Sequence, residues 1–197
     1  MVLQKEVRYY VSGVDIATTR FSDHSYIENK EWRKDNNLKG CIYATPIKVS
    51  SKIEEERPMF VIEMNNDRNR IEGIGFVINT HCYDNYKRRI HANPNLNRYL
   101  YEGMYRIDKS QIKEEYHKNI IWVLEMLLFK GAKHSKRSIG ITRLPTWLKY
   151  NRFDYNFGEA IWEMFEMYAG IEIPNRREMR EMREMREMRE MREMREN

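Results

Sequence analysis

The stretch "RPMFVIEMNNDRNRIEGIGFVI", Arg57 to Ile78, decides the fold. Two apolar, β-rich runs, "PMFVIEM" and "RIEGIGFVI", flank the polar segment "NNDRN". Asn and Asp tolerate left-handed backbone and bond to their own chain, so this segment predicts the turn of an antiparallel hairpin. Gly73 and Gly75 lie inside the second run and predict a bulge or a close backbone approach there.

Upstream, "EVRYYVSGVDI" predicts a strand carried by Val7, Tyr9, Tyr10 and Val11 and stopped at Gly13. "HSYIENKEWRKDNNL" predicts a helix with Tyr26, Ile27 and Trp32 inward, ended at Lys39-Gly40. "CIYATPI" predicts a second strand, and Pro46, which lacks a backbone donor, places its end at an edge or a turn. Downstream, "NTHCYDNYKRRIHANPNLN" reads as a long polar loop and "RYLYEGMYRI" as a return to strand. "EEYHKNIIWVLEMLLFKG" is the clearest helix. Ile120, Ile121, Leu124, Leu127 and Leu128 form its stripe, and Gly131 is its candidate C-cap. "LPTWLKY" predicts a short helical turn, and "FGEAIWEMFEMYAG" a second amphipathic helix ended by Gly170 and Pro174. Trp122, Trp147 and Trp162 fall on or beside these helices and read as core or helix-docking residues.

Strands and helices mix without a βαβ rhythm, and no Gly-rich phosphate loop occurs. The pattern predicts an α+β fold, a small barrel or sheet with flanking helices. Residues 1–150 read as the main domain, 151–174 as a C-terminal docking helix and 175–197 as an Arg-Glu-Met repeat tail. A three-residue repeat advances about 300° per step on an α-helix, so its six Met walk round the helix and form no coiled-coil seam. The tail reads as a partly helical, low-complexity extension.

The chain has 197 residues, 41% of them hydrophobic and 33% charged, and a formal net charge of +5. From Arg176 to Asn197 there are eight Arg and seven Glu, a net of +1, so the body carries the other +4. This mild basic bias is compatible with nucleic acid and does not establish it. Cys41 and Cys82 form no CxxC pair and no zinc-ligand spacing, and they read as free thiols of an intracellular protein. No apolar run approaches the roughly 20 residues of a membrane span. His24, His81, His91, His117 and His134 are scattered, with no HExxH motif, and no nucleophile signature accompanies them. Neither an enzyme nor a cofactor is expected.

Two basic clusters point to nucleic acid. "NYKRRIHANPNLNR" sets Lys87, Arg88, Arg89 and Arg98 among Tyr86, His91 and Tyr99. "FKGAKHSKRSIGITR" sets Lys130, Lys133, Lys136, Arg137 and Arg143 beside His134. Cationic side chains neutralise phosphates, and interleaved aromatics stack on unpaired bases. On the second strand Cys41, Tyr43 and Thr45 share one face. Tyr43 has small neighbours there, which suits the wall of a pocket better than a core.

The order "VRYYVSGVD", helix, "GCIYATP", the 57–78 hairpin, long loop and "EGMYRID" resembles the YTH domain of the PUA-like group, which includes the EVE and ASCH domains. The resemblance covers roughly residues 6 to 145. It implies a small β-barrel that reads a flipped, modified base in an aromatic cage. Tyr43 takes the place of the first cage Trp, with Ala44 where the family has Ser and Thr45 retained. The second cage Trp has no counterpart, and Tyr83, Tyr86, His91 and Tyr99 are its candidate replacements. Asp15 falls near the Asn that bonds the base edge. The segment containing Lys133, His134, Lys136, Arg137 and Arg143 falls where the family contacts phosphates; the first basic cluster, read from its residues alone, adds Lys87, Arg88 and Arg89 as phosphate contacts. The expected function is RNA binding, with a base that carries a methyl mark as one ligand and with transcript fate or translation as the wider role. Two alternatives remain: a modified-DNA reader of the EVE/ASCH type, and a protein-interaction module acting through the C-terminal helix or tail. Some ASCH relatives cut RNA, so a hydrolase stays a further alternative.

Overall fold

The computed structural model describes residues 14–81, 88–130, 134–149 and 155–171. The expected hairpin is present. Strand β3, Pro58–Asn65, pairs antiparallel with β4, Arg70–Ile78. Glu63 faces Gly73 and Met64 faces Ile71, which leaves Glu72 as the extra residue of a β-bulge. The bulge has a packing purpose. Positions 71 and 74 would point to opposite faces of a regular strand, yet Ile71 and Ile74 are both fully buried in the same core cluster.

The first described strand, β1, is Asp15–Phe21, just beyond Gly13. Residues Val7 to Val11 of the expected strand lie outside the described part of the chain. Helix α1, Asp23–Asp35, follows, and β2 is Cys41–Thr45. The expected single run "RYLYEGMYRI" divides at Met104 into β5, Tyr99–Gly103, and β6, Tyr105–Asp108. Helix α2 is Glu115–Phe129, β7 is Thr142–Arg143, α3 is Thr146–Lys149 and α4 is Phe157–Ala169. Gly170, at φ 64°, caps α4 in the left-handed region open to glycine. No described helix is long and apolar enough to cross a membrane.

The ladders of the described residues form two sheets and no closed barrel. One has the order β6-β4-β3-β1-β7, and the other joins β2 to β5. β1 runs parallel to β3, with Asp15 beside Met59 and Phe21 beside Asn65. A parallel pair requires a crossover, and here α1 lies within it. The sequence hid this rhythm because β2 also falls between β1 and β3 and belongs to the other sheet.

The five-stranded sheet is covered on both faces. Phe60, Ile62, Met64, Ile74 and Ile107 pack with α2 and α4. Trp162 meets Phe60 edge-on at 5.8 Å between ring centroids, and Phe165 lies 5.0 Å from Phe60. Trp162 is therefore core, as expected. Trp122 and Trp147 are not: both are exposed, Trp122 at 57%. Trp122 lies two residues from Ile120 and from Leu124, on the far side of α2 from its apolar stripe. The other sheet face buries Ala17, Met59, Val61 and Val77 against Cys41, Tyr43 and Tyr101 of β2 and β5.

Helix α1 docks through Tyr26 and Trp32, as expected, and through polar groups as well. Ile27 is exposed, against expectation, while Asn29 and Arg33 are buried. Asn29 Nδ2 donates to the Ile42 carbonyl at 2.7 Å, and Arg33 Nε donates to Asn29 Oδ1 at 3.1 Å. Ser22 and Ser25 form a capping box at its start, and it ends at Asn36, before the expected Lys39-Gly40.

Candidate functional site

Tyr43 stands opposite Tyr101 in the two-stranded sheet and is 1% exposed. Its Oη donates to Glu63 Oε1 at 3.0 Å. Burial foremost, and then the adjacent Cys41 and Glu63, push the phenol well above its ordinary pKa. The expectation of an open stacking wall is corrected: the ring is sealed between the sheets. The space beside its small neighbours is occupied by the close approach of β4, where a Cβ on Gly75 would lie 2.1 Å from Tyr43 Oη and 2.5 Å from Cys41 Sγ. Gly75 was the signal in the sequence for a close backbone approach, but not for Tyr43 as its partner. Burial, helped by Glu63, drives the Cys41 thiol up to about 12, so it remains a protonated, inert core group. Thr45 is also buried, its hydroxyl donating to the Ile47 carbonyl at 2.7 Å in the turn that contains Pro46. Ala44, on the other face of β2, is half-buried against Ile42, Ile90 and Leu100.

Glu63 anchors a buried ionic network. Arg106 Nε reaches Glu63 Oε1 at 2.9 Å, and Arg106 Nη2 reaches Oε2 at 2.7 Å. The guanidinium crosses β4 at Gly73, where a Cβ would lie 2.6 Å from Arg106 Nη2. Nη1 donates to Asp108 Oδ2 at 3.1 Å, and Nη2 reaches Tyr26 Oη at 3.4 Å. Burial alone would weaken the proton's hold on Arg106; the Glu63 carboxylate overrides it and raises the pKa. Two glycines on one strand thus clear the paths of two buried polar side chains. The network holds α1, β2, β3 and β6 together, and its centre, Tyr43, Glu63 and the Arg106 guanidinium, is closed to a ligand.

Asp15 and His91, also expected at the base, are engaged as well. Asp15 Oδ1 receives Arg143 Nε at 2.7 Å across β1 and β7. This pair joins an expected base contact to an expected phosphate contact, so neither stands alone. His91 is buried, and its Nδ1 lies 2.8 Å from Glu28 Oε2, while the Ala92 N–H donates to Glu28 Oε1 at 2.9 Å. Its role is to fasten the loop to α1. Tyr99 packs edge-on against His81, with centroids 5.7 Å apart. Tyr83, Tyr86, Lys87 and Lys133 lie outside the described residues. Arg88 pairs with Glu102, and Arg89 Nη2 donates to the Ala92 carbonyl at 2.7 Å.

The second basic cluster is better placed. Arg20 on β1, which the sequence did not single out, holds this segment to the sheet. Its Nε donates to the Ser135 carbonyl at 2.9 Å. Its Nη1 donates to Thr142 Oγ1 at 2.6 Å, to Thr18 O at 3.2 Å and to Gly140 O at 3.4 Å. Burial draws the guanidinium down to about 10, still charged at neutral pH. Asn66, in the hairpin turn, takes the Phe21 carbonyl with its N–H at 2.8 Å and the Lys136 carbonyl with its Nδ2 at 3.0 Å. Lys136 Nζ rests on Asn69 Oδ1 at 2.7 Å, and Arg137 is exposed. Among the described residues Asn66 Oδ1 and His134 Nδ1 are buried polar atoms without a hydrogen-bond partner. The only trace of Arg20 in the sequence was a single basic residue within "DIATTRF", where β-strand alternation alone gives no hint of a contact 115 residues away.

Among the described residues no group of three or more His, Cys, Asp or Glu is arranged to hold a metal ion. Compared with family models, curated proteins and solved structures, the chain gave no match.

Proposed function

We propose that the chain is a non-catalytic RNA-binding module, a divergent PUA-like domain, which holds single-stranded RNA against the segment from His134 to Arg143. One observation carries this reading. Lys136 and Arg137 stand on a segment fastened to the sheet edge, and neither meets a carboxylate among the described residues. Cations held in place but left unneutralised by the protein suit a polyanion. The order strand, helix, strand, hairpin supports the PUA-like part of the reading. With Tyr43 enclosed, base recognition in this reading falls to groups other than Tyr43.

The test is binding of labelled single-stranded RNA to the wild type and to the Lys136→Ala/Arg137→Ala double variant over a range of salt. Each phosphate contact in a single strand contributes about 0.7 to the slope of log K against log salt, so the double variant should lose about 1.4. An unchanged affinity and slope would overturn the proposal. A second reading, a protein-docking module, draws on the exposed Trp122 of α2 and Met167 of α4. It predicts no RNA binding at any salt.

A further inference from the structure

Arg20 is a cation half-buried at the sheet edge whose hydrogen bonds all end on neutral oxygens: three backbone carbonyls and one hydroxyl. No carboxylate pairs with it among the described residues. Its Nη2 makes no hydrogen bond there and is not among the atoms sealed from solvent without a partner. Arg106 shows the other arrangement in the same sheet, with its guanidinium closed by the two oxygens of Glu63. Carbonyl dipoles offset part of the charge on Arg20 but supply no net negative charge.

The partners of Arg20 also fix its orientation. Nε and Nη1 are held by four oxygens, so the fork cannot swing, and the remaining nitrogen is presented in one position. Lys136 follows Ser135, the residue whose carbonyl Arg20 holds, and its ammonium likewise rests on a neutral oxygen, Asn69 Oδ1. Asn66 ties the two neighbourhoods together, bonding the carbonyl next to Arg20 in β1 and the carbonyl of Lys136. Two cations on one scaffold, each held by neutral groups, leave positive charge that an oxyanion would neutralise. A planar guanidinium with a free N–H edge matches phosphate oxygens.

We propose that Arg20, together with Lys136, is a phosphate-binding site that takes a backbone phosphodiester of single-stranded RNA. This rests on the RNA-binding reading above and adds the residue that fixes the strand's position at the sheet edge. Arg137 and the other exposed cations contribute charge, while Arg20 contributes direction.

The experiment compares wild type, Arg20→Lys and Thr142→Val. Labelled single-stranded RNA is titrated over a salt series, and inorganic phosphate is titrated by thermal stability at constant ionic strength. Arg20→Lys keeps the charge but loses the fork, and RNA affinity should fall about tenfold. Inorganic phosphate should raise the melting temperature of wild type and not of Arg20→Lys. Thr142→Val removes the shortest bond to Arg20 without touching its charge, so it should keep the salt slope and weaken the phosphate response, though less than Arg20→Lys does. If wild type binds RNA and folded Arg20→Lys binds it equally well, the site is overturned while the RNA reading stands. If wild type responds to inorganic phosphate through Arg20 but binds no RNA, the RNA source and the RNA reading are overturned together. If Arg20→Lys and Thr142→Val lose stability alike and neither changes a binding readout, Arg20 is a structural fastener only and the proposal fails.

Discussion

Arg106 grips both oxygens of Glu63 across an intervening strand, at 2.9 Å and 2.7 Å, by passing over Gly73. Both side chains are almost completely buried, at 5% and 1% exposure. Removing one member leaves the other as an uncompensated buried charge. Glu63→Gln and Arg106→Met should each cost about 3–5 kcal/mol, and the apolar pair Glu63→Met/Arg106→Met should cost less than the sum. Urea unfolding midpoints measure this, and strict additivity would contradict the direct pairing.

Gly75 and Tyr43 form a second such couple. Gly75→Ala forces a methyl against Tyr43 Oη and Cys41 Sγ, an overpacking that should cost about 1–3 kcal/mol. Tyr43→Phe removes the atom most severely crowded, so the double variant should be more stable than the two single effects predict. Tyr43→Phe should also leave RNA affinity unchanged, because the hydroxyl faces Glu63 and not solvent. A loss of affinity in folded Tyr43→Phe would restore Tyr43 as a ligand contact.

The tryptophans separate by burial. Trp162→Ala removes a ring packed on Phe60 and Phe76 and should cost about 3–5 kcal/mol. Trp122→Ala should change stability by no more than about 0.5 kcal/mol, as expected for an exposed position. Equal costs would place Trp122 in the core after all. Denaturant midpoints of the two variants decide.

Acid should loosen the fold. Burial alone would raise the pKa of Glu28, but the Ala92 N–H and the His91 ring override it and hold the carboxyl below its usual range. Asp108 is lowered in the same way, with Ser110 and Arg106 overriding burial. A carboxylate depressed in the folded state adds stability that is present above its unfolded pKa, about 3.9 for Asp and 4.3 for Glu. That contribution is lost as pH falls through the folded value. Glu166, raised mainly by burial, works in the opposite direction. The melting temperature should therefore drop below about pH 4, and Glu28→Gln should flatten that drop. A Glu28→Gln variant as acid-sensitive as wild type would disprove the Glu28 contribution.

The elements that could be read from the sequence were those whose partners lie nearby in the chain. The 57–78 hairpin, the α2 stripe and the Gly170 cap declare themselves within a few residues. The parallel β1–β3 pairing does not, because its register depends on residues about forty positions apart with β2 between them. For Tyr43 the period-2 argument identified the correct face but could not say what filled it; only the approach of Gly75 from another sheet does that. Arg20 was invisible for the same reason, since Ser135, Gly140 and Thr142 reach it only once the chain has folded. His91 looked like a candidate for stacking because its partner Glu28 is 63 residues away.

Among the described residues the larger sheet ends at β6, four residues long, and at β7, only two. Between them lie β4, β3 and β1, and β3 includes the run Met59 to Ile62, which is as apolar and β-prone as segments that drive strand stacking between chains. Among the described residues β3 is paired along nearly its whole length with β1 on one side and with β4 on the other, so its backbone offers almost nothing for a foreign strand to join. Resistance to edge-to-edge aggregation is thus built into the strand order, with the most hazardous sequence placed furthest from either margin.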